Sequence, residues 1–277
     1  MSTRPHPAAP SARRRGDYER FCAGVRVLTG IELGHYRQGQ MERRLRSFSE
    51  RYGCADLDEY LALLRRDREA LAGFLDRMTI NVSELFRNPE RFAELETVHL
   101  PRLQAESPAG LRVWSAGCSY GAEPYSLSLL LQETAPGRRH EVIATDIDAT
   151  VLARARRGRF TEADARNVPR ARLERWFRRV EDGGRVLFEA SERLRAPVRF
   201  RRHDLLEDPY PEGLDLIACR NVVIYFTDDA KQAIYRRFLG ALRPGGVLFV
   251  GSTERVHQAE EMGWERAGTF FYRRPPA

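Results

Sequence analysis

"RVWSAGCSYGAEPYSLSLLL" (112–131) reads as a strand, then a tight polar turn, then a helix. The turn carries Gly117 and Gly121, and Glu123 stands directly before Pro124. Strand, glycine turn and helix in this order form the ligand cradle of open α/β sheets, in which guests bind beyond the carboxyl ends of the strands. The same rhythm continues downstream. Residues 141–146, 213–219 and 246–251 read as strands, and 149–157 and 228–242 as helices. Strands alternating with helices predict a parallel sheet wound on both faces. Residues 264–274 read as an edge hairpin with a Gly-Thr break, and "RRVEDGGRVLFEA" (178–190) as a second hairpin turning at Asp182-Gly183-Gly184.

Upstream the pattern changes. Residues 1–16 are Pro, Ala, Ser and Arg and read as a flexible basic tail. Residues 17–80 read as a helical domain. In 36–53, Met41, Leu45, Phe48 and Tyr52 share one helix face, with Arg37, Arg44 and Arg51 as a second stripe beside it. A single further helix is predicted over 58–78, burying Tyr60, Leu64, Leu71, Phe74, Leu75 and Met78. Residues 81–110 are linker and helix: Asn88 is the predicted cap and Pro89 opens the first turn, with Pro101 and "ESPAG" (106–110) ending it. Residues 111–277 then form the α/β domain, with an inserted β-subdomain over about 178–203.

A 42% hydrophobic content supports a sizeable core in this 277-residue chain and argues against disorder. No apolar run approaches the ~20 residues of a membrane span. The first 16 residues lack the apolar segment of a secretory signal. Cys22, Cys54, Cys118 and Cys219 are scattered, with no C-x-x-C pair, so neither a disulfide framework nor a zinc knuckle is expected. A cytoplasmic, metal-free protein is expected. The net charge of +7, with Lys231 the only lysine, favours an acidic partner.

The charge in the turn selects the guest. The dinucleotide fingerprint G-x-G-x-x-G is missing. A pyrophosphate beside Glu123 would also meet a like charge, at roughly 4 kcal/mol for ~4 Å and an effective dielectric near ~20. S-adenosylmethionine (SAM) carries a sulfonium and an ammonium and no phosphate, and it resolves the conflict. Glu123, kept ionised by the helix N-terminus, would hold the ammonium. Asp146, ending the second strand, would accept the ribose hydroxyls, with Asp148 capping the next helix. "LRPGG" (242–246) before a strand is a further, weak signal of the same class.

At this point the chain resembles the CheR-type chemotaxis receptor (protein-glutamate) O-methyltransferases over about residues 17–274. "INVSELFRNPERF" (80–92), "VWSAGCSYGAEPYSL" (113–127) and "CRNVVIYF" (219–226) carry the resemblance, supported by "DID" (146–148). It implies a helical N-terminal domain joined to a Rossmann-like SAM domain with a small antiparallel β-subdomain inserted. It implies an enzyme, SAM as cofactor, and receptor glutamates as methyl acceptors, giving methyl esters and S-adenosylhomocysteine. By position it assigns Asn81, Ser83, Arg87, Glu123, Asp146, Asp204, Leu205, Asn221 and Val222 to the cofactor. Ser83 stands where threonine is common, Ala122 where glutamate is common, and Asp204 where asparagine is common. An ionised aspartate accepts hydrogen bonds but donates none.

A glutamate acceptor, with an ordinary pKa near ~4.3, is already ionised at neutral pH and needs no general base. The chemistry needs alignment, for which Arg87, holding the acceptor carboxylate, and Tyr225, positioning it, are the candidate catalytic residues. Arg37, Arg44 and Arg51 are candidates for steering the acidic methylation helices of transmembrane receptors. A monomer that binds no nucleic acid and inserts in no membrane is expected. A nucleic-acid methyltransferase is the weaker reading, because Arg220-Asn221-Val222 stands where amino-methylating enzymes place Asn/Asp-Pro-Pro-aromatic. An inactive SAM-binding signalling protein is the other alternative, opposed by the presence of Arg87, Glu123 and Tyr225.

Overall fold

The computed structural model describes residues 12–78 and 83–276. They fall into two compact units, one of residues up to Met78 together with Tyr225–Thr227, the other of Thr79–Ile224 and Asp228 onward.

The first unit is helical: α1 (Ala12–Thr29), α2 (Gln38–Arg51), α3 (Leu57–Arg66) and α4 (Arg68–Met78). Residues 1–11 of the predicted tail lie outside the described residues, and Ala12–Gly16 are not tail but the start of α1. Phe21, Tyr60 and Phe74 form the centre, with Phe21 stacked on Tyr60 at 5.7 Å and edge-on to Phe74 at 6.0 Å. The single helix predicted over 58–78 is two. Asp67 leaves the helix, and its carboxylate accepts from the N–H groups of Glu69 (2.8 Å) and Ala70 (3.0 Å). An aspartate that satisfies the free N–H groups of a new helix competes with continuation of the old one. On α2, Met41, Leu45, Phe48 and Ser49 are buried. Tyr52, predicted among them, follows the helix and is exposed, stacked on Tyr60 at 5.6 Å.

The second unit opens with α5 (Pro89–Glu94), which runs through a π turn (Leu95–His99) into α6 (Leu100–Glu106). Pro101 does not break this helix as predicted. It sits at the start of α6, directly after the wide turn in which the Leu100 N–H reaches back to the Leu95 carbonyl. A proline ring clashes with the carbonyl four residues earlier in a regular helix, and a π turn moves that carbonyl aside. Then follow β1 (Arg112–Ala116), α7 (Ala122–Thr134), β2 (Glu141–Asp146), α8 (Ala149–Arg157), β3 (Arg159–Thr161), α9 (Glu162–Ala165), α10 (Arg170–Trp176), β4 (Phe177–Asp182), β5 (Arg185–Ala190), α11 (Glu192–Arg195), β6 (Val198–Arg202), β7 (Leu214–Cys219), α12 (Asp228–Ala241), β8 (Leu242–Val250), β9 (Glu265–Arg266) and β10 (Phe271–Arg273).

The main sheet has the order β6-β2-β1-β7-β8-β10-β9. Its first five strands are parallel, and β10 runs antiparallel to both β8 and β9. After β1 the chain moves outward to β2 and β6, then returns to β7 beside β1. The strand order therefore reverses between β1 and β7, where a crevice opens at the carboxyl ends. All six residues of β7 are buried, as expected of a central strand covered on both faces. The predicted turn 242–246 lies within β8, accommodated by an irregularity in its pairing with β7. The small sheet, β3-β5-β4, is antiparallel. It spans Arg159–Ala190 rather than 178–203, because Val198–Arg202 pairs with β2 and edges the main sheet. That strand is "VRFRR", with only Val198 buried, so its charge hid it in the sequence. Among the described residues, no helix is long and apolar enough to cross a membrane.

Candidate active site

Four strand ends lie side by side in the order β6, β2, β1, β7. Each feeds a turn holding predicted site residues: Asp204 and Leu205 after β6, Asp146 ending β2, Glu123 after β1, and Asn221 and Val222 after β7.

The glycine turn is latched to the end of β2. The N–H groups of Gly117 and Cys118 both donate to the Thr145 carbonyl at 2.8 Å, and the Ser119 N–H donates to Asp146 Oδ2 at 2.8 Å. Gly117 has φ +81°, and a Cβ there would stand 2.4 Å from Val222 Cγ2. Glycine therefore supplies the turn and lets the β1 and β7 loops approach each other.

Glu123 lies in the first turn of the almost wholly buried α7. Its Oε1 accepts from the Ser115 hydroxyl at 2.7 Å, and Oε2 lies 3.7 Å from Arg220 Nη1. Burial raises its pKa; Arg220 and the Ser115 hydrogen bond oppose the rise. Asp146 is buried, and its Oδ1 accepts from the Asp148 N–H at 3.1 Å. Burial pushes its carboxyl up to about 6, against the backbone donors that favour the charged form. A carboxylate offers about four acceptor directions, so Asp146 retains capacity for hydroxyls. Asp148 caps α8 through the Thr150 N–H at 2.7 Å, as predicted.

Asp204 is half-buried and shapes its own turn: Oδ1 accepts from the Leu206 N–H at 2.8 Å, and its N–H donates to Asp208 Oδ2 at 2.8 Å. Leu205 is buried, its carbonyl accepting from the Tyr210 hydroxyl and Arg237 Nη1, both at 2.7 Å. His203 is structural, buried edge-on to Trp114 at 5.3 Å. Asn221 has a left-handed backbone, φ +61°.

The segment before α5 is pinned from several sides. The Leu85 N–H donates to the Asp164 carbonyl at 2.9 Å and the Phe86 N–H to Ser126 Oγ on α7 at 2.9 Å. The Tyr120 hydroxyl bonds the Ser83 carbonyl and Asp164 Oδ1. Asn81 lies outside the described residues. Asn88 occupies the cap position of α5 without the predicted capping bond. Its Oδ1 instead accepts from Arg220 Nη2 at 2.9 Å, and the same nitrogen donates to the Arg87 carbonyl at 2.7 Å. Arg87 is half-buried, and its charge acts on both Glu123 and Arg220.

Sequence reasoning missed two residues of this region. Arg220 is buried, with its guanidinium 4.6 Å from the Phe249 ring centre and 5.1 Å from that of Phe92. It stood inside a quoted motif, but nothing in the motif marked it as buried. Glu254 is buried, and its carboxylate accepts from the N–H groups of Asn221, Val222, Val223 and Gly251. Only its place shortly after the last parallel strand could have drawn notice.

Tyr225 and the arginine stripe belong to the helical unit. Tyr225 accepts at its carbonyl from the Arg37 N–H at 3.0 Å, and its ring centre is 5.6 Å from the Arg44 guanidinium. The stripe is not one solvated face. Arg37 precedes α2 and is exposed, Arg51 is exposed in its last turn, and Arg44 is half-buried beside Phe48 and Tyr225.

The residues present fit a cationic adenosyl compound. Buried carboxyls at Glu123 and Asp146 are both pushed upward by desolvation, which a positive guest reverses. Asn221 Oδ1 is buried with no hydrogen-bond partner among the described residues. Among those residues, no group of three or more His, Cys, Asp or Glu side chains is placed to hold a metal ion.

Comparison with known proteins identifies both units. Residues 16–79 match the family profile "CheR methyltransferase, all-alpha domain", and residues 81–269 match "CheR methyltransferase, SAM binding domain". A chemotaxis protein methyltransferase of Listeria monocytogenes is 39% identical over 256 residues, covering 92% of this chain and 96% of that protein. Chemotaxis protein methyltransferase 1 of Pseudomonas aeruginosa is 34% identical, covering 87% and 90%, and the Escherichia coli chemotaxis protein methyltransferase is 34% identical, covering 92% and 89%. With both of its units matched and its carboxylate-lined strand ends in place, the chain belongs to the CheR family of SAM-dependent methyltransferases.

Proposed function

We propose that the protein methylates glutamate side chains on the cytoplasmic helices of chemoreceptors, giving glutamyl methyl esters in chemotaxis-like adaptation. The observation that carries this is the pair of carboxyls at adjacent strand ends, Asp146 buried and Glu123 nearly so. Their charge suits a sulfonium donor and repels a phosphate. The names of the relatives, chemotaxis protein methyltransferases, support a methyl acceptor within chemotaxis.

SAM, when bound, supplies a methyl group already activated for transfer. Asp146 accepts the ribose hydroxyls, Glu123 takes the ammonium, and Ser83, Asp204, Leu205, Asn221 and Val222 complete the cradle, together with Asn81. The acceptor glutamate arrives ionised, so the protein moves no proton in advance. Arg87 holds this carboxylate without neutralising it, and Tyr225 orients it by its hydroxyl. The exposed Arg51 and Arg37 steer the acidic receptor helices. The enzyme works in the cytoplasm, as a monomer, without metal.

The test incubates the protein with methyl-labelled SAM and receptor-containing membranes. Label should enter the receptor and leave as methanol in mild base, the mark of an ester. Base-stable label, or label in nucleic acid, refutes the proposal. Arg87→Ala should lower turnover by about 10²-fold or more, with S-adenosylhomocysteine affinity changed far less. Unchanged turnover removes Arg87 from the mechanism.

A further inference from the structure

The buried carboxylate of Glu254 has no role in the chemistry above, yet it gathers more backbone donors than either cofactor-facing acid. Its Oε2 accepts from the N–H groups of Asn221 at 2.6 Å and Gly251 at 2.8 Å. Its Oε1 accepts from Val222 and Val223, both at 2.9 Å. Three consecutive N–H groups therefore converge on one side chain from another loop. Consecutive amides that point the same way form an anion nest, and here the anion is built in. Without it the three donors, that of Val223 buried and the other two part-buried, would lose their acceptor, or the turn would take another shape.

Two further features tie this contact to the conformation of the turn. Asn221 is held at φ +61°, a region that non-glycine residues occupy at a cost unless something compensates. Gly251 admits the close approach: a Cβ there would stand 2.5 Å from Glu254 Oε2 and 2.8 Å from the Asn221 nitrogen. The same turn carries Asn221 Oδ1, buried and without a partner among the described residues, and Val222, which packs over Gly117.

We propose that Glu254 is a positioning residue: it sets the Asn221–Val223 turn in its cofactor-receiving shape before the cofactor arrives. The proposal rests on the reading of Asn221 and Val222 as cofactor contacts. Glu254 acts through the backbone it holds. A turn that spends only a fraction of its time in the competent shape weakens apparent affinity by that fraction.

The experiment compares the full chain with Glu254→Gln, which keeps size and shape. A glutamine has one acceptor oxygen, so its amide nitrogen must face one of the two donor pairs. Calorimetry with S-adenosylhomocysteine should give a Kd raised about tenfold or more, and steady-state rates a KM for SAM raised similarly, with kcat at saturation within about threefold. A purely structural role would lower the melting point and leave this split unmoved at temperatures well below it. In the ligand-free parent protein, the amides of residues 221–223 should exchange with deuterium slowly, and at least about tenfold faster in the variant. A folded Glu254→Gln protein with Kd within about twofold of the parent overturns the proposal. So do parent amides that exchange at free-loop rates until ligand is added, a result that decides the matter even if the variant does not fold. A parent protein that fails to bind S-adenosylhomocysteine sinks the cofactor reading itself, an outcome distinct from the other two.

Discussion

Replacing Arg220 by methionine separates the buried charge network from its apolar surroundings. The guanidinium is 2% exposed and lies 3.7 Å from Glu123, itself 11% exposed. At that distance and an effective dielectric near ~20 the attraction is roughly 4–5 kcal/mol, most of which repays the desolvation of both groups. Removing one partner strips the other charge of its nearest counter-charge, at about 3–5 kcal/mol. Methionine fills the space between Phe92 and Phe249, so cavity formation adds little. The bonds to the Arg87 carbonyl and Asn88 Oδ1 are lost as well. For a unit of this size each kcal/mol moves the melting temperature by roughly 2–4 °C, so Arg220→Met should melt about 6–20 °C lower. The second variant, Arg220→Met with Glu123→Gln, removes both charges and should recover half or more of that loss. Thermal unfolding followed by circular dichroism gives both numbers. A single variant melting within about 3 °C of the parent, or a double variant no better than the sum of the singles, refutes the reasoning.

Two further outcomes test the site and its approach. The carboxyl of Asp146, raised to about 6, should make S-adenosylhomocysteine affinity nearly constant above neutral pH and fall by up to about tenfold per pH unit below that value, because hydroxyls are accepted by the ionised form. Asp146→Asn should flatten the profile, and a parent profile flat from pH 5 to 8 would contradict this account. The stability of the ligand-free protein runs the other way: the contribution of a raised acid is full below the unfolded value of about 3.8 and is lost as pH climbs through about 6. Arg51→Glu should lower kcat/KM for receptor several-fold at low salt and flatten its salt dependence, with the fold and cofactor affinity intact. Rates indifferent to this charge reversal would mean that the exposed arginine only solubilises.

The sheet was legible because four of its five parallel strands carry short apolar runs between turn residues, and β1 with its glycine turn fixed the class. Elements whose local signal points one way and whose tertiary role points another were hidden. Val198–Arg202 is too charged to resemble a core strand, yet it needs only one covered face at the sheet edge. Asp67 fits a helix surface as well as a helix start, and only its capping bonds decide. Pro101 signals a stop, which the π turn evades. In the site, Glu123 and Asp146 could be read because their places follow from strand ends. Arg220 and Glu254 could not, because a buried charge is recognised by its partners, and those partners lie 33 or more residues away for Glu254–Asn221 and for Arg220–Asn88 alike.

The antiparallel insertion of β10 between β8 and β9 bears on how the protein is made. Phe271–Arg273 is the last strand in chain order, yet it occupies an interior place, hydrogen-bonded to Val247–Phe249 on one side and Glu265–Arg266 on the other. During synthesis the flank of β8 stays bare until this strand leaves the ribosome, although every parallel strand has already emerged. A chain in which this strand is not yet paired presents an open ladder to its neighbours, so the pairing of β10 is what covers β8 and keeps the protein from sticking to copies of itself.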